Sequence, residues 1–535
     1  MVVALAFGIF LRRRNNGRPE LRHHIRLFRQ LQKSRRTPSN VGCVLKLRSE
    51  VKMKRTFVLI GFFMILSLAC CCCGSSSGEK GEEQGEADSA QFNDDETADF
   101  EFVNDDETAD FEVVNDDDFM EPAEDAAPQT YEEWQNAYAN ADAQAEKILA
   151  PFVEANTNFG MKLFAKLNEP GENIMISPLS ISIAMAMTVG GAGNSGTYDE
   201  LMDFLGYKAA GFDDYMTLNE QFDFLLQSLT YFDEDFELSL ANSMWLDDAF
   251  SKKVNKTFVN DLKKYYGAGY FVKDFADSKT VGLINSWVNN KTKGKITEIV
   301  GGIDEETMML LLNAVYFRAN WMQQVDSEED LESGYFTMSN GAKKQVQFFS
   351  GMFRERRFYN GDIGQGGMDI RMLAVPFGRH AASIYFFMPL DPDDSVDAMI
   401  SEMAENGIGK YFGRVNNGYK DYTVFKLPRV KFKYDESIED DFYGMGLKKP
   451  FDENYGFDGI VNETLIISKI LHNTYFSMDE KGVEASAVTA VYVECLGEDF
   501  EPTRFRFDRP FVFAVRDDRT GTLLFIGKVE DPEFD

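Results

Sequence analysis

The sequence predicts a large α+β domain over residues 151–535, and two observations support this prediction. Stretches with helical periodicity come first in this region, and strand-like stretches are concentrated later, an order typical of α+β proteins. Hydrophobic residues make up 44% of the chain, and 47 of its 535 residues are Phe. Such a composition supports at least one sizeable buried core.

The elements of this domain follow from the spacing of its apolar side chains. Residues 158–167 carry apolar side chains at helical intervals, which predicts a helix with one buried stripe. Residues 182–188 are rich in small residues and Met, which predicts a fully buried helix. Strands are predicted, among other places, at residues 237–245, 383–388 and 511–515.

Residues 1–52 form a strongly basic extension, with runs such as Arg12-Arg13-Arg14. Met53 stands directly before Lys54-Arg55 and is the favoured natural start of the protein. Residues 1–52 would then be a mispredicted upstream extension. The alternative is a long basic leader with its own apolar start at residues 2–11.

Residues 53–73 have the pattern of a signal peptide. Lys54-Arg55 is followed by an apolar run at residues 57–68 and then by Ala69-Cys70. The run is short for a membrane-spanning helix. A cysteine at this point resembles a bacterial lipoprotein signal, with cleavage before Cys70 and lipidation there, although Ser67 stands where such signals usually have Leu. We expect an extracellular or cell-surface protein, lipid-anchored in the cell envelope. An ordinary signal peptide and an uncleaved anchor are the alternatives.

Residues 74–150 are predicted to be an acidic, disordered linker, because they contain few large apolar residues. The 11-residue segment 93–103 recurs at 104–114, and two copies are too few for a solenoid. The repeat lacks the Gly and the terminal Glu of an EF-hand, so a self-repelling spacer is favoured over a calcium site. The net charge of −33 argues against nucleic acid as a partner.

Cysteine and histidine usage restricts the chemistry of the domain. Of the six Cys, only Cys495 lies beyond residue 73, so an intrachain disulfide within the domain is excluded. Only His380 and His472 lie outside the leader, which argues against a His/Cys metal site there, and neither metal nor cofactor is predicted. The segment Gly193-Asn-Ser-Gly196 lacks a complete nucleophile elbow, so a hydrolase is disfavoured.

A series of motifs carries a family resemblance that covers residues 152–532. The motifs lie at residues 173–181 (NIMISPLSI), 311–317 (LLNAVYF), 427–432 (LPRVKF), 467–472 (ISKILH), 478–485 (MDEKGVEA), 508–511 (DRPF) and 524–529 (LFIGKV). In this order and over this length they resemble the serpin family of serine protease inhibitors. The resemblance implies the serpin fold, with helices packed on a large central β-sheet, smaller sheets and an exposed reactive-centre loop.

The segment that matches the family's loop hinge also has its own physical pattern. Gly482 lets the backbone pivot at low steric cost, and a strand alternates its faces with period two. One face would carry uncharged side chains and the other would carry Glu484. The uncharged face comprises Val483, Ala485, Ala487 and Thr489, followed by Val491, Val493 and Cys495. The pattern predicts a strand ready for insertion, with Val483 exposed until the loop is cleaved. A permanent strand of similar pattern is the alternative.

The resemblance implies an irreversible suicide inhibitor rather than an enzyme. A protease would attack the loop, and the cleaved loop would enter the central sheet as a new strand and trap the acyl-enzyme. Family spacing from Glu480 puts the reactive bond between Leu496 and Gly497, which favours a chymotrypsin-like or subtilisin-like target protease. A monomer is expected, with contact to a membrane only through a lipid anchor or signal. The alternative is a non-inhibitory serpin that acts as a surface binding or carrier protein, although such members usually carry charged, bulky or proline residues in the hinge.

Family residues that control opening of the central sheet also match positions of this sequence. The resemblance assigns this role to Ser177, Ser180, Asn313 and His472, whose side chains would form a buried hydrogen-bonded group. It places Trp321 where the loop would first enter the sheet. The alternative for the four polar residues is a core network that merely satisfies their hydrogen bonds. The alternative for Trp321 is a large core aromatic.

Overall fold

The structure is a computed structural model. It describes residues 127–534 except 194–195, 323–324, 326, 354–356, 363–366, 416–422 and 484–501. All of these residues belong to one compact unit.

Helices dominate the first half of the described chain. Their bounds are α1 Tyr131–Ala145, α2 Ala150–Leu167, α3 Pro178–Val189, α4 Gly196–Phe204, α5 Tyr215–Leu229, α6 Lys256–Tyr266, α7 Ser278–Lys291, α8 Val396–Asn406, α9 Gly409–Phe412 and α10 Glu439–Met445. Short 3-10 helices lie at Gly190–Ala192, Asp248–Lys253, Glu328–Asp330 and Lys449–Phe451. None of the helices within the described ranges is both long enough and apolar enough to cross a membrane.

The strands are concentrated in the second half. Their bounds are β1 Ile174–Ile176, β2 Phe236–Asp247, β3 Gly269–Lys273, β4 Met309–Asn320, β5 Glu332–Thr337, β6 Lys343–Phe353, β7 Phe358–Asp362, β8 Asp369–Pro376, β9 Ala382–Pro389, β10 Thr423–Pro428, β11 Val430–Ser437, β12 Lys469–Asp479, β13 Gly482–Val483, β14 Thr503–Arg506, β15 Phe511–Asp517 and β16 Leu523–Val529. The predicted helices at 158–167 and 182–188 and the predicted strands at 237–245, 383–388 and 511–515 are all confirmed.

The strands within the described ranges form three sheets. The central sheet has the order β11-β12-β13-β4-β2-β3, a second six-stranded sheet has the order β1-β16-β15-β9-β8-β7, and a four-stranded sheet has the order β14-β10-β6-β5. The C-terminal strand β16 lies between β1 and β15, so the last strand of the chain completes a sheet that begins with the first strand. The α+β prediction is confirmed.

The two faces of the central sheet are covered by different helices. Helix α3 contacts β2, β4 and β16, and all of its residues are buried, which explains why its sequence has no polar stripe. Helix α7 covers the other face, where Trp287 and Val288 pack with Leu310, Leu312 and Ala314 of β4. The segment after α7 adds Ile296, Ile299 and Val300 to the same cluster.

Helix α1 corrects the predicted linker, because Tyr131–Ala145 lies within the stretch 74–150 that was expected to be disordered. A capping box closes its N-terminus: Thr130 Oγ1 accepts from the Glu133 N–H at 3.2 Å, and Glu133 Oε2 accepts from the Thr130 N–H at 2.9 Å. The helix buries Tyr138 and Ala141 and packs against α5. Two buried side chains and a good cap therefore order a segment of mostly polar composition. Residues 74–126 of the predicted linker lie outside the described residues.

Candidate functional site: the opening of the central sheet

The two middle strands of the central sheet are paired over only part of their length. Strands β4 and β12 run parallel and pair from Leu310 with Lys469 to Val315 with Thr474. Beyond that point, at the C-terminal ends of both strands, β13 lies between them. A sheet interior with an interrupted ladder leaves backbone donors and acceptors that an additional strand can satisfy.

The β13 residues form the start of such a strand. Asp479 pairs with Gly482 across a two-residue turn, and Val483 pairs with Met478 on one side and with Ala319 of β4 on the other. Gly482 has φ +146°, a conformation that L side chains rarely adopt, so glycine is needed here. The expectation that Val483 is exposed in the uncleaved protein is wrong. Its side chain is 1% exposed, because the turn folds it back between β4 and β12.

Trp321 fixes the position of this turn. It follows the end of β4, its ring stacks on Phe377 at a centroid distance of 5.3 Å, and it is 9% exposed. Its indole N–H donates to the Asp479 carbonyl at 2.9 Å. The side chain is thus a core aromatic that also contacts the hinge, while its predicted role in loop entry stays a prediction.

Glu480, the first residue of the turn, is buried beside one cation. Its Oε2 lies 3.2 Å from Nε of Arg429, and the exposed fractions of the two side chains are 2% and 17%. Neither carboxylate oxygen has an aligned hydrogen bond among the described residues. The Arg429 guanidinium also stacks on the Phe534 ring at 3.8 Å. Glu480 therefore depends on Coulombic attraction to Arg429 to offset its desolvation.

Four of the predicted opening residues meet beneath the paired part of β4 and β12. His472 Nδ1 is 2.5 Å from Asn313 Oδ1, and His472 Nε2 accepts from the Ser177 backbone N–H at 3.2 Å. Nε2 is therefore unprotonated, and Nδ1 carries the proton and donates it. The Asn313 amide in turn donates to Ser180 Oγ at 2.6 Å. We call this group, together with Asn242, the opening network.

Asn242 of β2 is the member of the opening network that sequence reasoning missed. Its Oδ1 accepts from the Asn313 amide at 2.7 Å and from the Ser180 hydroxyl at 3.2 Å. Ser177 Oγ extends the network to the second sheet by donating to the Leu524 carbonyl at 2.8 Å. Residues 237–245 alternate as a strand, but no spacing rule pairs Asn242 with a residue 71 positions away.

Burial sets the protonation state of the network. Asn313, His472, Ser177 and Ser180 are 0% exposed. Desolvation lowers the pKa of His472 to about 3. At neutral pH the ring is therefore uncharged, as its role as an acceptor from Ser177 requires. The network links β4 to β12 through neutral hydrogen bonds, which can be broken without separating charges.

Arg429 is the second residue whose position sequence reasoning did not anticipate. The motif at 427–432 predicts a strand, and the structure ends β10 at Pro428 and begins β11 at Val430, with Arg429 between them. This corner directs the guanidinium to Glu480. The sequence carried no signal for this pair, because the burial of Glu480 is seen only in the fold.

The remaining predicted site residues lie outside the described residues. They are Cys70, Glu484, Ala485, Ala487, Thr489, Leu496 and Gly497.

Comparisons with known proteins agree with this geometry. A family model described as Serpin (serine protease inhibitor) matches residues 154–532. An uncharacterised serpin-like protein of Methanosarcina acetivorans is 29% identical over 390 residues, which cover 71% of this chain and 86% of that protein. Human alpha-1-antichymotrypsin is 27% identical over 386 residues, which cover 71% and 88%.

Solved structures show the same fold. Native tengpin, a thermophilic serpin, matches with a TM-score of 0.63 at 28% identity, covering 71% of this chain and 94% of that one. Human thyroxine-binding globulin matches with a TM-score of 0.63 at 24% identity, covering 72% and 99%. The matched proteins thus include one named for chymotrypsin and one named for thyroxine, so similarity alone does not distinguish inhibitor from carrier.

Proposed function

Since the chain belongs to the serpin family, we propose that it is an irreversible inhibitor of serine or cysteine proteases that traps the acyl-enzyme by inserting its cleaved loop into the central sheet. The observation that carries this proposal is the seating of Gly482 and Val483 between β4 and β12. Two residues of the incoming strand already have partners on both sides, and the ladder between β4 and β12 resumes only at Val315 and Thr474.

The register of β13 indicates where the rest of the loop would go. Val483 pairs with Met478 and with Ala319. If the inserted strand continued in this register toward the paired part of β4 and β12, Thr489 would lie opposite His472 and Asn313. Thr489 shares the face of Val483, which is the face of the opening network. Insertion would replace the direct bond between His472 and Asn313 by bonds to a hydroxyl, so the buried polar groups would keep partners in both states.

The free energy of insertion supports irreversible trapping. Adding ~10 ladder hydrogen bonds at ~1 kcal/mol each gives roughly 10 kcal/mol before entropy costs. Gly482 and Val483 of the hinge are uncharged and are already paired with β4 of the central sheet. This favours the inhibitor over the carrier alternative.

Our proposals for the target and the location rest on residues outside the described ranges. We propose Leu496–Gly497 as the reactive bond and a chymotrypsin-like or subtilisin-like protease as the target, because an apolar residue precedes the bond. We also propose a lipid anchor at Cys70 and a position at the cell surface, because Ala69-Cys70 follows the apolar run.

Incubation with a panel of proteases tests this function. A covalent complex that survives denaturing electrophoresis is expected with a chymotrypsin-like or subtilisin-like enzyme, and the released C-terminal peptide should begin at Gly497. Ala485→Arg places a charge on the inserting face and should convert the inhibitor into a substrate. Glu484→Arg, on the opposite face, is the matched control and should still inhibit. Cleavage of the parent without any complex would favour the carrier alternative.

A further inference from the structure

The segment 531–534, which follows β16, is fixed against two sheets. The Lys431 N–H of β11, in the central sheet, donates to the Glu533 carbonyl at 2.5 Å. Lys344 of β6, in the four-stranded sheet, holds the segment with its ammonium group, because Nζ lies 2.6 Å from Asp531 Oδ1 and 2.9 Å from Glu533 Oε1. These contacts give the side chain that follows them a defined place on the molecule.

That side chain is Phe534, and its ring covers Arg429. The guanidinium carbon lies 3.8 Å from the ring centroid, well within the range of a cation–π contact. The Arg429 side chain is 17% exposed, and its Nε lies 3.2 Å from Glu480 Oε2. A planar guanidinium that stacks on a ring is restricted in the directions in which it can point. Phe534 lies beyond residues 154–532, so the family model does not assign this contact.

Arg429 is the cation that lies beside two acids of the hinge turn. The Glu480 side chain is 2% exposed, so it has little water to stabilise its charge. Burial raises the pKa of the neighbouring Asp479, and the charge of Arg429 acts against this rise. If the guanidinium turned away, Glu480 would be left as a buried charge without its partner, which is strongly unfavourable. The direction of the Arg429 side chain therefore affects whether the turn can remain in the sheet.

The same turn carries the first residues of the strand that would be inserted. Gly482 and Val483 pair with Asp479 and Met478 of β12 on one side and with β4 on the other. A Glu480 side chain without a counter-charge would regain hydration only by moving out into solvent. The turn would have to rotate with it, and the pairs of Gly482 and Val483 would be broken.

We propose that Phe534 is a positioning residue for loop insertion: its ring keeps the Arg429 guanidinium beside Glu480, and this keeps the start of the loop seated between β4 and β12. The effect on protease trapping rests on the proposed function, whereas the seating of the hinge is a property of the uncleaved protein. Without the ring, the cleaved loop would begin its insertion from outside the sheet. Deacylation would then have more time, and fewer encounters would end in a trapped protease.

Hydrogen exchange of the uncleaved full chain measures the seating directly. In Phe534→Ala, the backbone amides of residues 482–483 should exchange about tenfold faster than in the parent, because the hinge loses a cation–π contact that supports it. Phe534→Tyr keeps the ring and should exchange as the parent does. Phe534→Leu keeps an apolar side chain without a ring and should resemble Phe534→Ala. Equal exchange in the parent and Phe534→Ala overturns the positioning role, and parent-like exchange in Phe534→Leu overturns the assignment to ring stacking.

Two further variants test whether Phe534 acts through the buried pair. Tyr455 also covers a cation, with its ring centroid 5.1 Å from Lys449 Nζ, but that lysine is paired with Glu200 of α4. Tyr455→Ala is the matched control and should leave exchange at the hinge unchanged. In a Glu480→Gln background, Phe534→Ala should add less than about a third of its effect on exchange. A full additional effect there, or faster hinge exchange in Tyr455→Ala, overturns the proposed route.

Protease trapping tests the functional consequence separately. With an enzyme that forms a denaturant-stable complex with the parent, Phe534→Ala should consume about twice as much inhibitor for each complex formed, and Phe534→Tyr should match the parent. Faster exchange with an unchanged consumption of inhibitor overturns the effect on trapping and leaves the positioning role established. A parent that forms no complex with any protease refutes the inhibitor function, and the exchange measurement still decides the positioning role.

Discussion

At the scale of single residues, the polar groups buried where β4 and β12 meet are neutral or paired. His472 has no exposed surface and accepts from a backbone N–H, which a protonated imidazole could not do. The Glu480 side chain is 2% exposed and lies beside Arg429. Removal of one partner of either pair would leave a buried polar group without its hydrogen bond or counter-charge.

The first prediction concerns the pH dependence of stability that His472 causes. Its folded pKa of about 3 lies below the unfolded value, so between these pH values the unfolded chain binds more protons. Stability should therefore fall as pH drops below about 6.5, by up to about 1.4 kcal/mol per pH unit. The measurement is the free energy of unfolding between pH 7 and 5, compared with that of His472→Asn, which should show a shallower slope. Parallel curves would contradict the assignment.

At the scale of elements, the hinge and the N-terminal helix show what the sequence could and could not predict. The period-two pattern after Gly482 places Val483 on the uncharged face, but the pattern alone does not say whether this residue is buried before cleavage. The structure shows Val483 already enclosed. Helix α1 was not predicted, because the prediction for residues 74–150 rested on their mostly polar composition. The helix is stabilised by a capping box and two buried side chains, which an average composition does not reveal. Pairs that join distant segments, such as Arg429 with Glu480, could not be predicted from the sequence pattern, because only the tertiary fold brings the two residues together.

The second prediction follows from the burial of Val483. Val483→Arg would place a guanidinium without a partner between β4 and β12, at a cost of several kcal/mol. We expect a lower midpoint of thermal unfolding in the uncleaved protein and conversion from inhibitor to substrate. Val483→Thr, which keeps the β-branched shape, should retain most of both properties. Val483→Arg that forms as much covalent complex as the parent would refute strand insertion as the mechanism.

The third prediction concerns the docking of α1. Tyr138 is buried, and the Arg379 guanidinium lies 3.7 Å from its ring centroid. Tyr138→Ala should lower the free energy of unfolding by about 3 kcal/mol, as expected for loss of a buried aromatic side chain. Tyr131 begins the same helix and is 80% exposed, so Tyr131→Ala serves as the control and should change stability by less than about 0.5 kcal/mol. Similar losses in both variants would mean that α1 is not held by Tyr138.

At the scale of the whole molecule, a folded domain of the serpin family is joined to segments of a different kind. The acidic stretch and the basic extension differ sharply from the domain in composition. This contrast in composition is the basis for the proposal that the acidic stretch is a spacer between an anchor at Cys70 and the domain.

The fourth prediction tests the anchor. Expressed in a bacterium from Met53, the protein should partition into detergent and carry a lipid on Cys70, because Ala69-Cys70 follows an apolar run. Cys70→Ala should remain in the aqueous phase or stay unprocessed. Detergent-phase extraction followed by mass spectrometry of the N-terminal peptide gives the result. Identical aqueous behaviour of both proteins would rule out lipidation at this position.

The place of β16 between β1 and β15 has a consequence for the order of events during synthesis. Ile176 is made early, yet its partner Ile526 and the carbonyl of Leu524 that receives the Ser177 hydroxyl belong to the end of the chain. At about 5–20 residues per second, about 350 intervening residues take roughly 20–70 s to translate. Throughout that interval β1 and Ser177 have no native partners in the second sheet. The second sheet can therefore be completed only after the ribosome has finished the final strand, so the domain reaches its native fold after synthesis rather than during it.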